Sequence, residues 1–181
     1  MGKFVFGLIV GLILLPLIVY FYFSRGIAPV ATTAPPMPFE TMFAKMALHA
    51  RLDREVPKTV PIPADEPNLA AGAQVYKDDC AVCHGLPGAP QTAIAKGMFP
   101  KAPKLMEGKG VTDDPPGESY WKVAGGIRMT GMPGFSSSLS TTDMWQVSLL
   151  VANADKLSQA VKDSLMSVTP PAAPKPEVKK K

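Results

Sequence analysis

Cys80-Ala81-Val82-Cys83-His84 is the stretch on which the reading of the whole chain turns. Two cysteines three apart, with a histidine directly after the second, form the attachment signature of a c-type haem: each sulfur adds to a porphyrin vinyl group and the imidazole ligates the iron. The 181-residue chain has two cysteines and two histidines, so random placement reproduces the pattern with a probability on the order of 10⁻⁴. A zinc site would need a fourth donor and usually a second Cys/His pair, and the other histidine, His49, stands far upstream. A thioredoxin-like CxxC expects strand–helix–strand flanks, whereas these flanks read helical and would leave His84 unexplained. With both cysteines consumed there is no disulfide framework, and the compartment must be argued from the membrane segment.

Working outward, the first large feature is Phe4 to Phe23, FVFGLIVGLILLPLIVYFYF, an uncharged run of 20 residues. As a helix it spans roughly 30 Å, the thickness of a bilayer core. Pro16, Gly7 and Gly11 are tolerated in such spans, and the aromatics Tyr20 to Phe23 suit an interfacial belt. A cleaved secretory signal would have a shorter apolar core and a small-x-small site; cleavage after Ala28 would leave Pro29 behind the cut, so residues 1–25 are expected to be a retained transmembrane anchor. Lys3 and Arg25 balance and do not orient it. Thioether attachment takes place outside the bacterial cytoplasmic membrane, which puts the N-terminus inside and the remainder on the periplasmic side.

Residues 26–67 read as a Pro-rich linker interrupted by one amphipathic helix at 39–55, with Phe39, Met42, Phe43, Met46 and Ala50 at spacings of three and four. Its charges balance, which favours docking on protein over binding to anionic lipid. His49 on this helix is a conceivable second iron ligand, though a solvated or packed histidine is the simpler reading. Asn68 is expected to cap a helix that ends by delivering Cys80, with Gly72 and Tyr76 on one packing face. After His84 an aperiodic, Gly/Pro-punctuated stretch runs to Leu105, and a carbonyl near Pro100 or Pro103 would fix the orientation of the ligating imidazole. Asp114, Pro115 and Glu118 mark a helix start, with Tyr120 to Ala124 as its body and Gly125-Gly126 as its stop.

In Ile127-Arg128-Met129-Thr130-Gly131-Met132-Pro133-Gly134 a soft thioether ligand stands among small residues that let backbone approach a flat porphyrin. Met132, between glycine and proline, is the candidate ligand, with Met129 as the rival. Ser140 and Asp143 form a capping box for a helix running to about Asn153, its buried side carrying Trp145, Leu149 and Leu150, and this helix is expected to cross the one bearing Tyr76. Residues 156–181 read as a short helix from Leu157 to Val168 and a disordered Lys/Pro-rich tail.

With these pieces in order, residues 68–153 resemble a class I mono-haem cytochrome c domain, and the anchored N-terminus resembles membrane-bound bacterial members of that family. The resemblance implies an all-α fold around one covalently bound haem c, thioethers at Cys80 and Cys83, proximal ligation by His84 and distal ligation by Met132. Leu150 stands where family members often carry an aromatic. The domain expected on this basis is 68–155.

The expected function is electron transfer by a non-enzymatic, single-pass protein of the bacterial inner membrane, since six-coordinate iron leaves no vacant position for a substrate. A haem peroxidase or gas sensor would need a distal acid/base, for which only Arg128 or the remote His49 offers itself. A third reading makes the chain a cytochrome subunit of a respiratory or dehydrogenase complex. Residues 65–155 carry seven Lys/Arg against ten Asp/Glu, so this domain is acidic while the basic residues sit in the linker and tail. A nucleic-acid partner therefore has no patterned basic face to bind, and a redox partner or membrane respiratory complex with a basic docking patch is expected instead.

Overall fold

The computed structural model describes residues 1–107 and 114–167, and is helical without a strand among them. It divides into two compact units, Met1–Lys45 and Met46–Lys181. The expected tail from residue 169 onward lies outside the described residues.

In the first unit, helix α1, Gly2–Ser24, carries no buried residue and runs through Pro16 without a break. Its 23 residues, with a mean hydropathy of 2.8 over an 18-residue window, make it long and apolar enough to cross a membrane. Helix α2, Glu40–Glu55, begins one residue later than the sequence pattern suggests. Phe39 has φ 64°, a left-handed backbone that cannot open a right-handed helix, while the Glu40 carboxylate accepts the Met37 N–H at 2.7 Å. The apolar stripe expected to dock is exposed at Phe39, Met42, Phe43 and Met46, and the buried residue of the helix is Leu52, outside that stripe.

The second unit takes in the C-terminal half of α2, so the expected linker at 26–67 is shared between the two units. Glu55 accepts the Trp121 indole N–H at 3.1 Å, and a Cβ on Gly117 would run into the Pro57 carbonyl. Helix α3 is Glu66–Val75, capped by Asp65, whose carboxylate accepts the Asn68 N–H at 3.1 Å. Asn68 is thus not the cap. Pro67 can sit in the first turn, where its missing N–H has no helical partner to lose, so the helix starts ahead of it. The Asn68 side chain instead accepts from Gln146 at 3.0 Å, and Ser158 donates to Glu66 at the same distance.

Nor does the helix stop at Cys80. A π-helical turn, Tyr76–Cys80, leads into α4, Ala81–His84, which ends at Gly85 with φ 79°. A short α5, Ala93–Gly97, absent from the sequence reading, is capped by Thr92. Helix α6, Pro116–Gly125, stops at Gly126 with φ 65°. Helix α7, Thr141–Ala152, carries both bonds of the Ser140/Asp143 capping box. Helix α8, Gln159–Met166, is capped by Ser158.

The core lies where α3 crosses α7, with α6 and α8 packed against them. Tyr76 and Leu150 are fully buried, and Trp145 and Leu149 are buried as their spacing on α7 predicts. Trp145 stacks on Tyr120 of α6 with ring centroids 4.2 Å apart. The crossing depends on Gly72, because a Cβ there would collide with the backbone carbonyl of Gln146. Gly72→Ala should therefore destabilise the domain by about 2 kcal/mol or more through overpacking, despite the ~1 kcal/mol that alanine gains in helix propensity. Thermal unfolding of the haem-loaded protein checks this, and a melting temperature equal to or above that of wild type would refute the close crossing.

Candidate haem site

A cleft in the second unit is lined by Cys80, Cys83, His84 and Met132 together. About 800 Å³ of space free of protein atoms lies within it, open solvent at its mouth included. The π-turn and α4 carry the two cysteines and the histidine to one wall. The loop after α6 brings Met132, and the segment 98–105 adds Met98, Pro103 and Leu105.

His84 is held by its Nδ1, which lies 2.8 Å from the Pro103 carbonyl oxygen. A carbonyl only accepts, so the proton sits on Nδ1 and the Nε2 lone pair is free. Of the two prolines named by the sequence, Pro103 is the partner. Burial pushes the His84 pKa below its ordinary value, against a smaller opposite effect of the Pro103 bond, and this favours the neutral ring that metal ligation requires. The strand of chain carrying Pro103 is clasped at its far end: Glu107 accepts the Gly88 N–H at 2.9 Å and pairs with Lys104 at 2.7 Å. These bonds hold the Glu107 carboxyl below the usual range, the Lys104 bond first and the Gly88 bond second. Thr92 adds a further tie, donating to the Val82 carbonyl at 2.6 Å.

Tyr76, read from sequence as a packing residue, has a second role. Its hydroxyl donates to the Gly85 carbonyl at 2.8 Å and so fixes the chain directly after His84. Nothing local signals a tyrosine reaching nine residues ahead. Burial raises its pKa, with charges at Cys80 and Glu107 adding to the shift, so the donor proton is retained at neutral pH.

The thiol of Cys80 is pushed up to about 12, chiefly by burial and then by the charges of Asp79 and Cys83. A thiol so held carries little thiolate at neutral pH. Among the described residues no group of three or more His, Cys, Asp or Glu side chains is placed to hold a metal ion.

Met132 and Met129 differ sharply. Met132 lines the cleft and packs against the core, whereas Met129, whose φ is 60°, is 93% exposed. The Met132 loop is pinned to the end of α6 by the Phe135 N–H, which donates to the Val123 carbonyl at 2.9 Å. Gly126 and Gly134 allow this contact, since a Cβ on either would strike the other strand of the loop. Met98, a cleft residue that the sequence reading passed over, lies against Gly131; its aperiodic surroundings offered no signal. His49 and Arg128 are both exposed and neither lines the cleft. An apolar slot with two thiols, a neutral imidazole and a thioether fits a c-type haem.

Residues 67–149 match the family model described as cytochrome c oxidase, cbb3-type, subunit III. This segment is a c-type cytochrome domain. The chain is also similar to a chain of the Kuenenia stuttgartiensis reducing HAO-like protein complex Kustc0457/Kustc0458, at 24% identity and a TM-score of 0.45 over 57% of its length. That match spans about half, 53%, of the other chain. No curated protein matches the sequence. A cytochrome domain of this kind carries electrons on a c-type haem.

Tyr76→Phe keeps the buried ring and removes the bond to Gly85, so the domain should lose about 1 kcal/mol of stability. Denaturant unfolding measures it, and an unchanged midpoint would show that the hydroxyl holds nothing.

Proposed function

We propose that the chain is a membrane-anchored electron carrier holding one haem c through thioethers at Cys80 and Cys83, with His84 and Met132 as the two axial ligands. The observation that carries this reading is the meeting of these four side chains in one cleft with the His84 proton committed to Pro103. When bound, the haem supplies a one-electron ferric/ferrous couple.

The protein's own residues do the rest. His84 presents Nε2, and the Pro103 carbonyl keeps the ring from rotating. Met132 would supply the second ligand to a bound haem, leaving no open site for a substrate, and a thioether in that role would raise the potential relative to a second imidazole. Val147 and Val151 of α7 and Leu105 present apolar surface to the cleft, excluding water and stabilising the less charged reduced state. Peroxidase or gas-sensing chemistry has no support from His49 or Arg128, which are exposed and outside the lining.

Helix α1 serves as a retained single-pass anchor in the bacterial inner membrane, with the haem domain on the periplasmic side. Tethering keeps the domain at high effective concentration beside membrane partners. The acidic domain docks on a basic patch of a redox partner protein. A second reading, a cytochrome subunit of a larger respiratory complex, is favoured by the matched family's description and uses the same electron-transfer chemistry.

Met132→Ala tests the centre of the proposal. The oxidised variant should lose the thioether-to-iron absorption band, and its potential should fall by on the order of 0.1 V, out of the ≈0.8 V that axial ligands span. A band that survives unchanged assigns the ligand elsewhere, and material that stays colourless after expression with a working maturation system removes the haem.

A further inference from the structure

We infer that the Thr130 hydroxyl is the positioning group that holds the Met132 loop in the shape its thioether needs, an inference that rests on Met132 as the distal ligand proposed above. Ile127 and Met132 are paired across the loop, the Ile127 N–H donating to the Met132 carbonyl at 3.2 Å. The other two backbone groups of that pair both meet Thr130. Its hydroxyl donates to the Ile127 carbonyl at 2.7 Å and accepts the Met132 N–H at 3.1 Å. A hydroxyl has one donor and two acceptor sites, so it makes both bonds at once.

The two ends of this bridge are not equivalent. The Ile127 carbonyl also receives the Thr130 N–H at 3.2 Å, so it stays bonded without the hydroxyl. For the Met132 N–H the hydroxyl is the acceptor, and removing it leaves a partly buried donor without a protein partner. The turn that aims Thr130 inward is itself narrowly determined. Met129 before it holds φ 60°, a conformation that a side-chain-bearing residue keeps only where its surroundings demand it. Gly131 after it leaves the space in which the Met98 methyl lies, 2.5 Å from where a Cβ would stand. Thr130 lines the cleft beside Met132, so a loosened bridge is felt directly at the thioether. Without the hydroxyl, the fraction of loop conformers that present sulfur to the iron falls, and an outside nitrogen base competes for that position more easily.

The test uses the full chain, haem-loaded and oxidised, titrated with imidazole while the thioether-to-iron band is followed. Thr130→Val, which keeps the shape and deletes both bonds, should bind imidazole about five- to tenfold more tightly than wild type. Thr130→Ser, which keeps the hydroxyl, should restore the wild-type affinity to within about twofold. Equal affinity in wild type and the valine variant overturns the role, even where the melting temperature drops, since a purely structural hydroxyl would lower stability alone. A serine variant that behaves like valine also overturns it. Failure of the ligand assignment looks different: there Met132→Ala leaves the wild-type band in place, and this role falls with it.

Discussion

A 2.8 Å contact between the His84 Nδ1 and the Pro103 carbonyl is the constraint around which the site is built. It settles which ring nitrogen of the neutral imidazole carries the proton, and burial favours that neutral form by lowering the ring's basicity. To make that contact the chain must return over itself across nineteen residues. Three small devices do this: the Thr92 tie to the Val82 carbonyl, the Glu107 bond to the Gly88 N–H, and the Lys104–Glu107 pair. Each ion or hydrogen bond is exposed and individually weak. Their effect comes from closing one loop at several points, so that Pro103 has little freedom left to lose.

The helical core supplies the other half of the geometry. Gly72 lets α3 approach the backbone of α7, and this crossing leaves Tyr76 fully buried. From there the Tyr76 hydroxyl holds Gly85, so the same residue serves the core and the site. The α6 helix stacks Tyr120 on Trp145 of α7 and then hands the chain to the Met132 loop through the Val123 carbonyl. Both walls of the cleft are therefore referred to one helix, α7, which is buried along most of its length.

Much of this was legible beforehand, and the reasons are local. The CxxCH pattern, the uncharged run at 4–23, the Ser140/Asp143 box and the glycine stop of α6 each express their physics within a few residues. What misled was equally local. Asn68 has the chemistry of a cap, but Asp65 takes the position because Pro67 is welcome in a first turn. A different case is the stripe of Phe39, Met42, Phe43 and Met46, which stands exposed on α2 while Leu52, on another side of the helix, is buried. Helical period reports that a face exists; it does not say what covers it.

By itself the sequence determined the chemistry available, namely two sulfurs and an imidazole at haem-attachment spacing, a thioether among glycines, and an apolar helix long enough for a bilayer. It also determined most of the longer helical segments, since propensity and capping act over neighbouring residues, though not the short α5 or the π-turn that carries the chain on past Cys80. Only the tertiary structure decided that Pro103 rather than Pro100 meets His84, that the Tyr76 hydroxyl reaches Gly85, that Met98 shares the cleft, and that Met129 faces solvent while Met132 faces inward. Those choices belong to pairs of groups far apart in the chain. Their energies exist only once the α3–α7 crossing has brought the segments together, so no window of residues could have carried them.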